Sequence, residues 1–226
     1  MDKNIYDKHA NLMFFGNFVF ADTELSDLGV FLRDINALIA EKRDNLISPY
    51  SDVLPPVDME FSLERYEESF AEILNKSFIV ALVICLEKTI GDYCDEFQVQ
   101  LRHDIGWKEF RGNVLERFKT YTKKFLKLDL KLDSTLWKDL NGLFALRNCV
   151  VHADGNLNNF TDAPKIREFS KRHYLSIDSA ENIAISLQTC ESCLEIAKSF
   201  FEIIFEYALS YFPGEYGRQR TSDNTG

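Results

Sequence analysis

Hydrophobic positions recur along most of this chain at steps of three and four residues, the spacing of helices with one buried face. Leu25, Leu28, Phe31, Leu32, Ile35, Leu38 and Ile39 predict a first helix, with Asp22 or Thr23 as its N-cap. Residues 1–20 show no clean period, and the run from Asn11 to Phe20 predicts a short hairpin or an irregular cover. Pro49, Pro55 and Pro56 predict a loop over 43–61. With Ser62 as cap, a long helix then runs to about Leu101, apolar at Tyr66, Phe70, Ile73, Leu74, Phe78, Ala81, Ile84 and Cys85. Its middle, Phe78 to Leu86, is apolar all round, as in the central helix of a bundle.

A third helix over about 107–127 carries Phe110, Val114, Phe118, Tyr121 and Phe125. The fourth starts at Asp133 or Ser134, carries Leu136, Leu140, Leu143 and Phe144 on to His152, and stops at Asp154-Gly155. Residues 156–176 predict a polar loop. Asp178 stands three residues before Glu181, a capping-box spacing. It opens a last helix through Ile183, Leu187, Cys190, Leu194, Ala197, Phe201, Ile204 and Ala208. The sequence predicts an all-α bundle forming one domain. Residues 1–61 are an N-terminal extension, 62–212 the bundle, and 213–226 a polar, disordered tail.

Composition narrows the picture. Hydrophobic residues make up 46% of the 226, enough for a sizeable core. Gly and Pro together number 15 of the 226, roughly 7% against the roughly 12% of an average chain, which disfavours a β-sandwich or barrel. The longest apolar run, Phe78 to Leu86, is roughly half the ~20 residues a bilayer needs, so no membrane role is expected. No secretory leader opens the chain, and its five cysteines are expected to be reduced thiols of a cytoplasmic protein. The net charge of −10 argues against gripping nucleic acid over the whole surface and leaves room for local basic patches.

Most chemical signatures are absent: there is no Gly-rich phosphate loop, no His-Glu-x-x-His and no Gly-x-Ser-x-Gly. Cys190 and Cys193 lie inside a helix stripe, where cysteine acts as a small hydrophobe, and no second pair completes a zinc site. His9 and His103 have no partners nearby in sequence. One segment differs. Between Leu143 and Gly155 an apolar helix end carries Arg147, Asn148 and His152. Burying an Arg is costly unless an anion or hydrogen bonds compensate it. Asn148 and His152, four apart, share a helix face; Arg147 and His152, five apart, lie about 140° apart around the axis. Two such helices paired in a dimer would bring both residues of both chains to one seam.

The pattern Arg147-Asn148-x-x-x-His152, following a long central helix and preceding another long helix, resembles the HEPN superfamily. Val80 to Glu87, an apolar run ending in Leu-Glu, is similar to that family's central helix. The resemblance covers about residues 62–212. It implies a HEPN-like helical bundle and a metal-independent ribonuclease, acting as a homodimer with its two motifs facing each other. It further implies a toxin of a toxin–antitoxin or phage-defence system, with RNA as substrate and an antitoxin or nucleotidyltransferase as partner.

The chemistry suits the residues. Cleavage of RNA by its own 2′-OH needs an acid–base group near neutrality, which an imidazole supplies, and a fixed cation on the phosphorane oxygens, which a guanidinium supplies. No metal or other cofactor is expected. Asn148 either orients His152 or donates to a phosphate oxygen. Glu87 either orients the Arg or His or faces solvent, and Asp154 either joins the site or begins the turn with Gly155. From Lys108 to Lys131 eight basic residues, among them Lys123 and Lys124, face three acidic ones. This stretch, with Lys165, Arg167, Lys171 and Arg172, is a candidate surface for RNA phosphates, the alternative being ordinary solvated helix faces. The competing function is a HEPN-like bundle that binds a partner or a nucleotide without cleaving.

Overall fold

Ala10, Phe14, Phe18, Ala21 and Leu25 are buried at steps of four and three, and they make the N-terminal segment helical. The computed structural model describes residues 3–50, 61, 64–127 and 134–214. Its first helix, α1, runs Lys3–Tyr50 without a break. The expected hairpin or irregular cover is therefore corrected to helix. Leu12, Met13, Val19 and Phe20 are exposed, and these apolar residues among the buried ones hide the period in the sequence. Asp22 and Thr23 cap nothing: Thr23 Oγ1 donates back to the Val19 carbonyl at 2.8 Å, inside the helix. Residues 43–50 of the expected loop over 43–61 are helical, because α1 continues through Pro49 to Tyr50, and residues 51–60 lie outside the described ones. Pro55, Pro56 and Ser62 lie outside the described residues, as do 215–226 of the expected tail.

A wide-turned segment, Arg65–Ser69, leads into α2, Phe70–Leu101. After a single turn at Trp107–Glu109 come α3, Val114–Tyr121, and a second wide-turned segment, Thr122–Leu126. Then follow α4 (Ser134–Ala153), α5 (Ala163–Ser170), β1 (Ser176–Ile177), β2 (Ile183–Ala184) and α6 (Leu187–Tyr211). The fold class is all-α; among the described residues the only strands are the two short antiparallel ones, with Ser176 opposite Ala184 and Ile177 opposite Ile183. No described helix is long and apolar enough to cross a membrane.

The chain divides into two compact units: 1–25 with 84–138 and 196–226, and 26–83 with 139–195. The first is held by aromatic packing. Phe14 lies against Phe97 and Phe212 with ring centroids 4.5 and 5.4 Å apart, and Phe18 stacks on Phe205 at 4.2 Å. Tyr211 ties α6 to the end of the second wide-turned segment by donating to the Leu126 carbonyl at 2.8 Å. The single helix expected over 107–127 instead starts at Val114, because Asn113 and Glu116 form a capping box.

The second unit contains two departures from expectation. Residues 156–176 are not one polar loop: Ala163, Ile166 and Phe169 are buried at three-residue steps, and Pro164 sits in the first turn of α5. Gly142 of α4 lets α5 approach closely, since a Cβ there would meet Phe169 Cδ2 at 2.5 Å. Asp178 does not cap the last helix. Its Oδ1 accepts the Ala180 and Asn182 amides at 2.8 Å each, making the turn between β1 and β2, so the helix starts only at Leu187.

All five cysteines are free and buried. Burial, with the nearby Glu24 carboxylate, pushes the Cys85 thiol up to about 11; burial beside Glu191 pushes Cys190 up to about 12. Burial also raises Cys94, Cys149 and Cys193. Thiols held in the neutral form are poor nucleophiles. Ellman titration of the native protein at pH 8 should therefore show almost no fast-reacting thiol, and unfolding in denaturant should release all five.

Candidate functional site

From Leu140 to Cys149, α4 is nearly closed off from water: Leu140, Leu143, Leu146 and Cys149 are fully buried and Phe144 and Ala145 almost so. Arg147 and Asn148 are half-buried within that stretch, and His152 is exposed on the last turn. The helix stays regular to Ala153, so Arg147 and His152 keep their separation of about 140°.

Arg147 Nη1 donates to Asn148 Oδ1 at 2.9 Å, so the amide oxygen of Asn148 holds the Arg rather than the His. Arg147 Nε is buried and has no hydrogen-bond partner, and among the described residues no carboxylate pairs with this guanidinium. His152 makes no hydrogen bond with the described residues, which leaves its ring open to solvent. Asp154 takes the turn role: at φ +49 it ends α4, followed by Gly155 at φ +83. There a Cβ would lie 3.0 Å from Ile183 Cγ1, so the turn needs glycine for both conformation and space.

Lys76 is not among the candidates that the sequence singles out. From α2 its Nζ reaches Glu72 Oε1 at 2.7 Å and both Oδ1 and the backbone carbonyl of Asp154 at 3.3 Å. Burial alone would lower its pKa, but the hydrogen bonds and charges of Glu72 and Asp154 outweigh burial and hold it above the ordinary lysine value. A polar pair, Asn75-Lys76, just ahead of the apolar run was the available signal. Asn75 is buried and donates to the Ile185 carbonyl at 2.8 Å.

The predicted phosphate-binding cations of the 165–172 stretch are each engaged. Lys165 pairs with Asp162 at 2.8 Å, Lys171 with Glu168 at 3.1 Å, and Arg167 with Glu181. Arg172 bridges Glu168, at 2.8 Å, and buried Asp139, to whose Oδ1 it donates from Nη2 at 2.6 Å. Beside it, His173 Nδ1 lies 2.8 Å from Ser192 Oγ. Its Nε2 is 3.0 Å from Asp139 Oδ1 but makes no hydrogen bond there. Because Arg172 already occupies the Asp139 oxygen, the cluster fastens the end of α5 to α4 and α6.

Glu87, Lys123 and Lys124 belong to the first unit. Glu87 is half-buried and forms no ion pair with the described residues; Lys123 is exposed, and Lys124 lies over the Phe110 ring at 5.4 Å. Among the described residues no group of three or more His, Cys, Asp and Glu side chains is arranged to hold a metal ion. No family model, curated protein or solved structure matches the chain.

The Asp139 cluster has a measurable consequence. Asp139→Ala would leave the Arg172 guanidinium without its buried acceptor, and should lower the unfolding free energy by about 2–4 kcal/mol. A denaturant titration within about 0.5 kcal/mol of wild type would show that the cluster carries no stability.

Proposed function

We propose that this chain is a metal-independent endoribonuclease of the HEPN type, cleaving RNA by attack of the substrate's own 2′-OH. The observation that carries the proposal is the contrast among its cations. The four of the α5 region have carboxylate partners, whereas Arg147, half-buried, has only the neutral Asn148 oxygen. A guanidinium in that position is a ready donor to an external anion such as a phosphodiester. His152, on the following turn with its ring free, is the group to take or return the proton. Arg147 neutralises the phosphorane oxygens, and Asn148 acts by holding Arg147.

The 140° separation calls for a two-fold dimer, in which the motif of one copy completes that of the other. Val151, exposed by 47% on the same turn, offers that seam an apolar contact. In this reading the protein is a toxin or phage-defence effector whose activity an antitoxin or nucleotidyltransferase partner would restrain. The second reading, a HEPN-like module that binds without cleaving, draws on the net charge of −10 and on the pairing of the α5 cations.

Purified protein in EDTA should cut RNA to fragments ending in a 2′,3′-cyclic phosphate, and an oligonucleotide lacking the scissile 2′-OH should bind and stay intact. His152→Ala should lose about 10²–10⁴ in rate, Arg147→Ala a comparable amount, and Asn148→Ala less. Equal cleavage by wild type and His152→Ala removes the site from the account. RNA or nucleotide binding without cleavage supports the second reading. Separately, light scattering at micromolar concentration should return twice the 26.2 kDa chain mass; the monomer mass overturns the shared seam.

A further inference from the structure

Lys76 is tied to the end of α4 by two contacts with Asp154, and with Glu72 of its own helix as a third partner its side chain is only 18% exposed. The carbonyls at a helix C-terminus lack intrahelical partners and carry partial negative charge, so an ammonium donating to the Asp154 carbonyl satisfies both needs. The turn it holds is an unfavourable one: Asp154 is a non-glycine residue in the left-handed region, directly before a glycine that is also left-handed. Beyond that turn, the Gly155 amide reaches back to the Cys149 carbonyl at 3.1 Å, and the Gly155 carbonyl accepts the Ile183 amide at 2.9 Å. The lysine stem packs over the same point, its Cε 3.5 Å from where a Cβ on Gly155 would stand. With the adjacent Asn75 gripping the Ile185 carbonyl, two successive residues of α2 hold both strands of chain that close around the helix end.

We propose that Lys76 is a positioning residue of the ribonuclease site, acting through Asp154 to fix the turn that ends α4 and so the presentation of His152 on its last turn. This rests on the ribonuclease reading. Lys76 takes no part in the chemistry. Its removal lets the turn open and spreads His152 over more than one orientation, so the loss falls on turnover rather than on RNA binding.

The test uses the full chain with Lys76→Met and Lys76→Arg, read by two methods. Amide hydrogen exchange at Gly155 and Asn156 should quicken about tenfold or more in Lys76→Met. Its kcat should fall about tenfold with KM within about twofold, and Lys76→Arg, which keeps the cation, should recover most of both. If Lys76→Met does not fold, Lys76→Gln takes its place, keeping the donor and losing the charge. Unchanged exchange at the turn overturns the inference, as does faster exchange with full turnover. A rise in KM alone also overturns it, because that would mark Lys76 as an RNA-binding cation. A wild type that cuts no RNA while Lys76→Met still loosens the turn would defeat the ribonuclease reading, and the catalytic role of Lys76 with it, but leave its hold on the turn in place.

Discussion

The central constraint on this site is where the burial of α4 stops. Leu140 to Cys149 needs dry surroundings on nearly every side of the helix, and a helix so enclosed has little room for charge. Asp139 at one end and Arg147 toward the other are the exceptions, and the protein treats them differently. Asp139 is met by Arg172 and lies beside His173, so its charge is compensated within the chain. Arg147 is met only by Asn148, a neutral acceptor that supports the guanidinium without neutralising it. An uncompensated, half-buried cation one turn before an exposed imidazole is the chemical content of the site.

The helix end is itself built rather than merely allowed to fray. Two consecutive left-handed residues, Asp154 and Gly155, turn the chain sharply, and such a turn persists when its surroundings over-determine it. The Ile183 amide, the Cys149 carbonyl and Lys76 supply that support. The small β1–β2 hairpin earns its place here, since β2 begins with the residue whose amide closes the Gly155 turn. Asp178 shapes that hairpin by accepting two amides of its own loop.

Where a buried stripe was unmixed, the helices were legible from the sequence. The apolar run Phe78 to Leu86 is helical, and α4 spans Ser134–Ala153, close to the predicted limits. The misreadings have separate physical causes, the first being that local pattern reports amphipathicity only when exposed positions are polar. Exposed Leu12, Met13, Val19 and Phe20 blurred the first half of α1. In α5 the three charged residues Lys165, Arg167 and Glu168 match the three buried ones in number over only eight residues, too short a stripe to stand out from a polar loop. Asp178 and Glu181 matched a capping box by spacing, yet Asp178 uses the same carboxylate to bind amides in a hairpin turn.

The sequence by itself determined that the chain is helical, that Arg147, Asn148 and His152 share one helix end, and that Arg147 and His152 point in different directions around it. These follow from composition and from 3.6-residue periodicity, both of which are local. The partner of each charge was a tertiary decision. Lys76 and Asp154 are 78 residues apart in the chain, and Arg172 and Asp139 are 33 apart. No periodicity encodes such pairs, because an ion pair depends on which surfaces meet when elements pack. Only the folded structure could separate the cations of α5, already spent on carboxylates, from the one guanidinium of the motif that is not.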